Sequence, residues 1–212
     1  MGMDQYVITI AREKASGGSD VAKILSEKLG IPYYDRELLR KASDISGINE
    51  QLFGKADERI GFKEMMLAAK KVYNGEILPP DSDDYVSTGN LFNFQAKVIK
   101  ELAKEESCII IGRCADYLLA DQTNVLSVFV HAPLGFRKER MRSYSLALSD
   151  REILKQIQDC DRRRSEYYQY YTGIDWKDAT HKDISIDTSK LGMEGAAGLI
   201  IRALPLFLGI EV

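Results

Sequence analysis

Short β-branched runs separated by longer stretches of helical spacing organise this chain. Tyr6–Ile10 (YVITI) is a compact apolar run ended by a Gly/Ser-containing loop, and it reads as a buried strand. Beyond Gly17-Gly18-Ser19, the segment Asp20–Leu29 puts Val21, Ile24, Leu25 and Leu29 on one helical face, with Gly30 as its C-cap. Ile31–Tyr34 is a second short strand leading to Asp35, and Arg36–Ser46 is again helical. Ser107–Ile111, Val125–Val130 and Ile184–Ile186 are three further strands. Leu91–Ala103, the stretch from Gly112-Arg113 through Leu119, a segment opened by Pro133, and Glu194–Leu208 read as the helices between and after them. Ser149-Asp150-Arg151-Glu152 has capping-box spacing and starts a helix that runs into the polar stretch Asp159–Tyr171. Strands alternating with helices predict a three-layer α/β fold, a five-stranded parallel sheet with helices on both faces.

The pattern changes over residues 47–90. A charged helix candidate, Lys63–Val72, is followed by the turn-rich acidic run Leu78-Pro79-Pro80-Asp81-Ser82-Asp83-Asp84, which suggests a mobile insert in a single domain spanning 1–212. A second polar segment, 149–180, has the character of a lid. At 212 residues the chain suits one domain with a sizeable core. Its formal net charge of −3 offers no general attraction to nucleic acid or an anionic membrane. Cys108, Cys114 and Cys160 cannot all pair and form no CxxC, so reduced thiols and a cytoplasmic protein are expected. No signal peptide is visible, and no apolar stretch is expected to reach the roughly 18 residues of a membrane helix. No zinc-ligand spacing surrounds His131 or His181. A homodimer is compatible with the dense aromatic run Tyr167-Tyr168-Gln169-Tyr170-Tyr171 with Trp176. That run equally suits packing of the lid on the domain, or base stacking.

Chemistry concentrates at the strand ends, where open parallel sheets bind ligands. Ala11–Asp20 carries two glycines before a helix, so backbone N–H groups of the first turn can hold phosphate oxygens. The standard phosphate loop is GxxxxGK[ST]. With Gly17 on its second glycine, Ser19 falls on the Ser/Thr that meets magnesium, Arg12 on the first glycine and Gly18 on the lysine. Arg12 or Lys14 is then expected to supply the missing charge, within a cradle of Ser16, Gly17, Gly18 and Ser19. Arg113, at the end of the SCIII strand, is placed to grip an anion, and Asp35 suits a ligand contact or a helix cap.

The runs ITIAREKASGGSDVAKILSEKLGIPYYDRELL, IIIGRCADYLL, VFVHAPLGFRKERM and DRRRSEYYQYYTGIDW, in this order, resemble the cytidylate kinase-like family, divergent relatives of CMP kinases. The resemblance implies a P-loop NTPase-type fold in which residues 47–90 form the monophosphate-binding insert. It also implies ATP and Mg²⁺ as cofactors and small-molecule nucleotides as partners. It places Asp35, Lys41 and Arg113 on the acceptor, and Arg137, Arg140 and Arg164 around the transferring phosphate. Asp161 would read the cytosine. Cys114 stands where the family-like aspartate is expected. The expected activity is transfer of the ATP γ-phosphate to a pyrimidine monophosphate such as CMP or dCMP. Two alternatives stay open: a kinase for another small acceptor, and a non-catalytic nucleotide-binding protein, because Gly18 replaces the lysine.

Overall fold

The structure is a computed structural model and describes residues 5–58 and 75–209. The helix expected over Lys63–Val72 lies outside the described residues.

Five parallel strands stand in the order β2-β3-β1-β4-β5: β1 (Val7–Arg12), β2 (Tyr33–Tyr34), β3 (Cys108–Ile111), β4 (Val125–His131) and β5 (Ile184–Asp187). β1 therefore sits at the centre. It runs two residues beyond the expected end because β4 continues beside it, pairing Ala11 with Phe129 and Arg12 with Val130. Arg12 is thus a strand residue and not a loop residue. β2 is shorter than expected because Pro32, without an N–H, keeps the preceding residue out of the ladder; its carbonyl accepts from Ile109.

Alternation along the strands divides the interior. Ile8 and Ile10 of β1 and Ile109 and Ile111 of β3 face α1 (Gly18–Leu29) and the last helix. Val7, Ala11, Cys108 and Ile110 face the opposite layer. That layer contains α2 (Glu37–Ser46), α3 (Glu50–Glu58), α4 (Thr88–Glu105) and the short α5 (Ala115–Leu118). The helix after β1 and the helix after β3 consequently leave on opposite faces. A crevice opens between the two strand ends, where such sheets take their ligands.

α6 (Leu134–Tyr144) follows β4 with Pro133 as its N-cap. α7 (Asp150–Thr172) begins in the expected capping box, both reciprocal bonds present between Ser149 and Glu152. Its first half packs only a small cluster, Ile153 and Ile157 with Met141. Its second half sinks Tyr167, Tyr168 and Tyr171 into the main core, with Tyr171 stacked on Phe92 at 3.7 Å. The aromatic run therefore packs the polar segment onto the domain.

The final helix, α8 (Thr188–Leu208), corrects one expectation: by length and composition it is apolar enough to cross a membrane. Gly192 breaks it, at φ 65° and ψ 175°, leaving Met193–Leu208 regular. At ~1.5 Å per residue that stretch spans roughly 24 Å, short of the roughly 30 Å hydrocarbon core. Ala196, Ala197, Ile200 and Leu204 are buried in the sheet's second core layer. Cys108 and Cys114 are buried, and Cys160 is half-buried.

Candidate functional site

Two turns at the carboxyl ends of β1 and β3 frame the crevice. The first, Glu13–Gly17, bends through Ala15 (φ 62°) and Gly17 (φ 91°). Ser16 fixes it from beneath: its hydroxyl donates to the carbonyls of Glu13 and Val130 at 2.9 and 3.1 Å. The hydroxyl of Thr188 donates to the Ser16 carbonyl at 2.5 Å. Gly17, the N-cap of α1, has no side chain to cap it; the Val21 N–H donates to the Gly17 carbonyl at 2.9 Å, and Gly18, Ser19 and Asp20 of the first turn line a cleft beside the positive end of the helix dipole. Ser16 is thus tied under the turn and lines neither cavity, while Gly17, Gly18 and Ser19 line the cleft at the start of α1.

The second turn holds three consecutive left-handed residues, Gly112 (φ 73°), Arg113 (φ 58°) and Cys114 (φ 55°). For the two non-glycines this costs about 1–2 kcal/mol each. The strained backbone turns Arg113 into the crevice, where its Nη1 donates to Gln95 Oε1 at 3.1 Å. Burial lowers the Arg113 pKa and raises that of the adjacent Tyr167.

A cavity of about 930 Å³ lies between these turns and is walled by Arg12, Asp35, Arg113, Arg164 and Trp176. Asn49, Glu50 and Gln51, at the start of α3, close its far side. A smaller cleft of about 300 Å³ lies over the start of α1, with Gly17, Gly18, Asp20 and Arg140 in its wall. Arg12, Lys14, Ser19 and Arg164 belong to both spaces.

Arg12 extends from the end of β1 to Asp35, with Nη2 3.2 Å from each carboxylate oxygen. Burial, then Arg164, push its pKa down to about 10, against the pull of Asp35, so it is a cation at neutral pH. Arg164 donates to the Arg12 carbonyl at 2.7 Å. Asp35 is not the cap of α2, whose N-cap is Arg36 with no capping side chain.

On the loop side the cations already have carboxylates. Arg137 is buried and binds Asp161 at 2.5 Å and Glu13 at 3.5 Å. Asp161 also accepts from the Lys14 N–H at 2.6 Å. Arg140 meets Asp20 at 2.6 Å. Glu13, itself buried, accepts from the Ala132 N–H at 3.2 Å and pairs with Lys177 at 2.5 Å.

Two expected acceptor residues stand elsewhere. Lys41 lies 5.4 Å from the centre of the Tyr34 ring and outside both cavities; Arg36, at the start of α2, lines the wide one. Asp161 is held by the loop and Arg137 and does not line the wide cavity. Of the three consecutive arginines, Arg163 and Arg164 face the cavity, while Arg162 pairs outward with Asp159 and Glu166. A network without sequence signature supports the cavity wall: Lys182 binds Asp116, and Tyr168 donates to Asp116 at 3.0 Å.

The chain matches the model of the cytidylate kinase-like family over residues 7–190. It is 24% identical over 205 residues to the cytidylate kinase of Pyrococcus horikoshii, covering 96% of this chain and 91% of that one. It is 27% identical over 198 residues to that of Sulfolobus acidocaldarius, covering 92% and 91%. Among solved structures, an uncharacterized protein from Eubacterium ventriosum matches with a TM-score of 0.68 and 26% identity, over 94% of this chain and 98% of that one. Shikimate kinase from Bacteroides thetaiotaomicron matches with a TM-score of 0.51 and 13% identity, over 94% and 98%, a likeness of fold alone.

Proposed function

The chain belongs to the cytidylate kinase-like family, and on that premise we propose that it transfers the γ-phosphoryl group of ATP to a pyrimidine nucleoside monophosphate such as CMP or dCMP. One observation carries the reading: two adjoining spaces share a wall made of Arg12, Lys14, Ser19 and Arg164. A phosphoryl group passing from one space to the other would cross that cationic wall. Phosphoryl transfer needs little covalent help and depends on positioning and on positive charge around the moving group.

In this reading the cleft over α1 takes the triphosphate, its oxygens near the backbone N–H groups of Gly18, Ser19 and Asp20 and beside Arg140. The wide cavity takes the acceptor, its phosphate on the planar fork of Arg113 and its sugar near Asp35. An acceptor phosphate oxygen forms the new P–O bond to the γ-phosphorus as the β–γ bridge breaks and ADP leaves. Arg12, Arg164 and Lys14 face the charge that spreads over the γ-oxygens. Arg137 holds the loop to α7 through Glu13 and Asp161 and acts as a positioning residue. Among the described residues there is no cluster of three or more His, Cys, Asp or Glu to cage a metal. In this reading magnesium, which keeps mostly water and phosphate ligands, would take the Ser19 hydroxyl as its protein contact. Magnesium would neutralise β- and γ-oxygen charge.

A second reading changes only the acceptor. Cys114 is buried with its thiol pushed up by desolvation, and Asp161 is turned to the loop. Both positions tied by resemblance to the pyrimidine are thus altered. ADP release with ATP and Mg²⁺ over a panel of nucleoside monophosphates tests both. Turnover of CMP or dCMP above the others supports the first reading, and turnover of a different acceptor supports the second. Thermal stabilisation by ATP without turnover of any acceptor refutes transfer.

A further inference from the structure

The standard phosphate loop has a glycine at the strand end and a lysine at the helix start. This chain has Arg12 and Gly18 at those positions, and they touch. A Cβ on Gly18 would lie 2.5 Å from the Arg12 Cβ, 2.9 Å from its Cγ and 3.4 Å from the Val130 Cβ. Real Cβ atoms do not approach that closely, and the Arg12 Cβ is fixed to a paired strand residue, so it cannot swing away. Only one of the two positions can carry a side chain.

Further along, the Arg12 guanidinium passes over Gly112, where a Cβ would collide with Nη1. Gly18 thus clears the stem of Arg12, while Gly112, whose left-handed backbone (φ 73°) itself favours glycine, lies under the guanidinium. The side chain ends in the wall shared by both spaces and is 14% exposed. Its Nε is buried with no hydrogen-bond partner among the described residues. An arginine that only paired with Asp35 would not need to border the cleft over α1.

We propose that positions 12 and 18 are a reciprocal exchange of the phosphate-loop glycine and lysine. Arg12 is the resident cation for the polyphosphate, and Gly18 is a glycine because the Arg12 stem occupies the space over it. This deepens the phosphotransferase reading and rests on it for the identity of the anion. Loss of the loop lysine is then a relocation of charge and not its removal. The replacement differs in kind, because a guanidinium offers a planar fork and reaches Asp35 and the loop anion from one position.

The test is a swap. Arg12→Gly, Gly18→Lys and the double variant Arg12→Gly/Gly18→Lys are compared with the wild type by melting temperature, tripolyphosphate affinity and ADP release. Arg12→Gly should weaken tripolyphosphate binding about tenfold or more, the scale of one charge-assisted contact. Gly18→Lys should weaken it at least as much and lower the melting temperature. The double variant should regain both, with affinity within a few-fold of wild type. Arg12→Gln, which keeps most of the stem, gives the affinity comparison where Arg12→Gly does not fold. Three results overturn the proposal: wild-type protein that does not bind tripolyphosphate, Arg12 variants that bind it as wild type does, and a double variant no better than Gly18→Lys. If tripolyphosphate binding follows the swap while no acceptor is phosphorylated, the exchange stands and the transfer reading falls.

Discussion

The two sides of the crevice hold their arginines differently. On the wide side Arg12, Arg113, Arg163 and Arg164 border open space, and Arg113 is turned inward by left-handed backbone. On the loop side Arg137 and Arg140 are already matched, by Asp161 with Glu13 and by Asp20. Both sides arise the same way, from basic residues at the ends of parallel strands or on the helices beside them. The difference is in the pairing: Arg137 and Arg140 are each held by carboxylates, whereas the carboxylates lining the wide cavity are Asp35, held by Arg12, Asp116, held by Lys182, and Glu50. A monophosphate entering the wide cavity meets the Arg12–Asp35 pair in its wall. A polyphosphate reaching the loop competes with Asp161 for the Lys14 N–H and with Asp20 for Arg140. On the proposed function, binding on the loop side would therefore be an exchange of carboxylate for phosphate, tied to the position of α7.

The largest effect should come from the open side. Arg113→Met is expected to lower kcat/KM for the acceptor about 10²–10³-fold, the scale of losing one preorganised donor, with the melting temperature nearly unchanged. Initial-rate kinetics over acceptor concentration measure it, and an unchanged kcat/KM would remove Arg113 from the acceptor site. On the matched side, Glu13→Ala should cost stability first. It takes one carboxylate from buried Arg137 and leaves Asp161, so a loss of about 1.5–2 kcal/mol, the scale of hydrogen bonds to a charged group, is expected, read in urea unfolding. A loss under about 0.5 kcal/mol would mean that the pairing is incidental.

Asp161→Asn sharpens the contrast further. With the carboxylate charge gone from the loop, tripolyphosphate should bind several-fold tighter, because one competitor for its site is weakened. Looser acceptor binding with unchanged tripolyphosphate affinity would instead return Asp161 to the cytosine-reading role that resemblance suggested. The smallest effect belongs to Arg162→Ala. That side chain pairs outward with Asp159 and Glu166, so turnover should stay within about twofold of wild type. A large loss would show that α7 rotates to bring Arg162 inward during the reaction.

Much of this fold is legible in the sequence because period-2 and helical-period runs are local. The five strands, the Gly30 C-cap and the Ser149–Glu152 capping box all lie where those rules place them. What failed needed partners distant in sequence. β1 extends to Arg12 only because β4 runs beside it; the break at Gly192, by contrast, agrees with a last helix read as starting at Glu194. Within the site, Gly17, Ser19 and Arg113 follow from motif and strand-end position. Glu13, Gln95, Asp116 and Lys182 do not, because each acquires its role from a residue brought in by the tertiary fold. Lys41 shows the limit of motif transfer: the turn of α2 presents Arg36 to the cavity and lays Lys41 by Tyr34. Gly18 reads from sequence as a lost lysine, and its meaning emerges only from its contact with Arg12.

The proposed division of the crevice into an acceptor side and a donor side has a direct chemical probe. Cys160 is half-buried and lines the wide cavity, whereas Cys108 and Cys114 are buried, so a thiol reagent should modify Cys160 first. The measurement is the rate of Cys160 alkylation with no ligand, with saturating CMP, and with saturating tripolyphosphate. CMP should slow the reaction about tenfold or more, the range of a site mostly occupied at high ligand, while tripolyphosphate alone leaves it within about twofold of the free rate. An alkylation rate indifferent to CMP, or slowed equally by tripolyphosphate, would contradict the two-sided site.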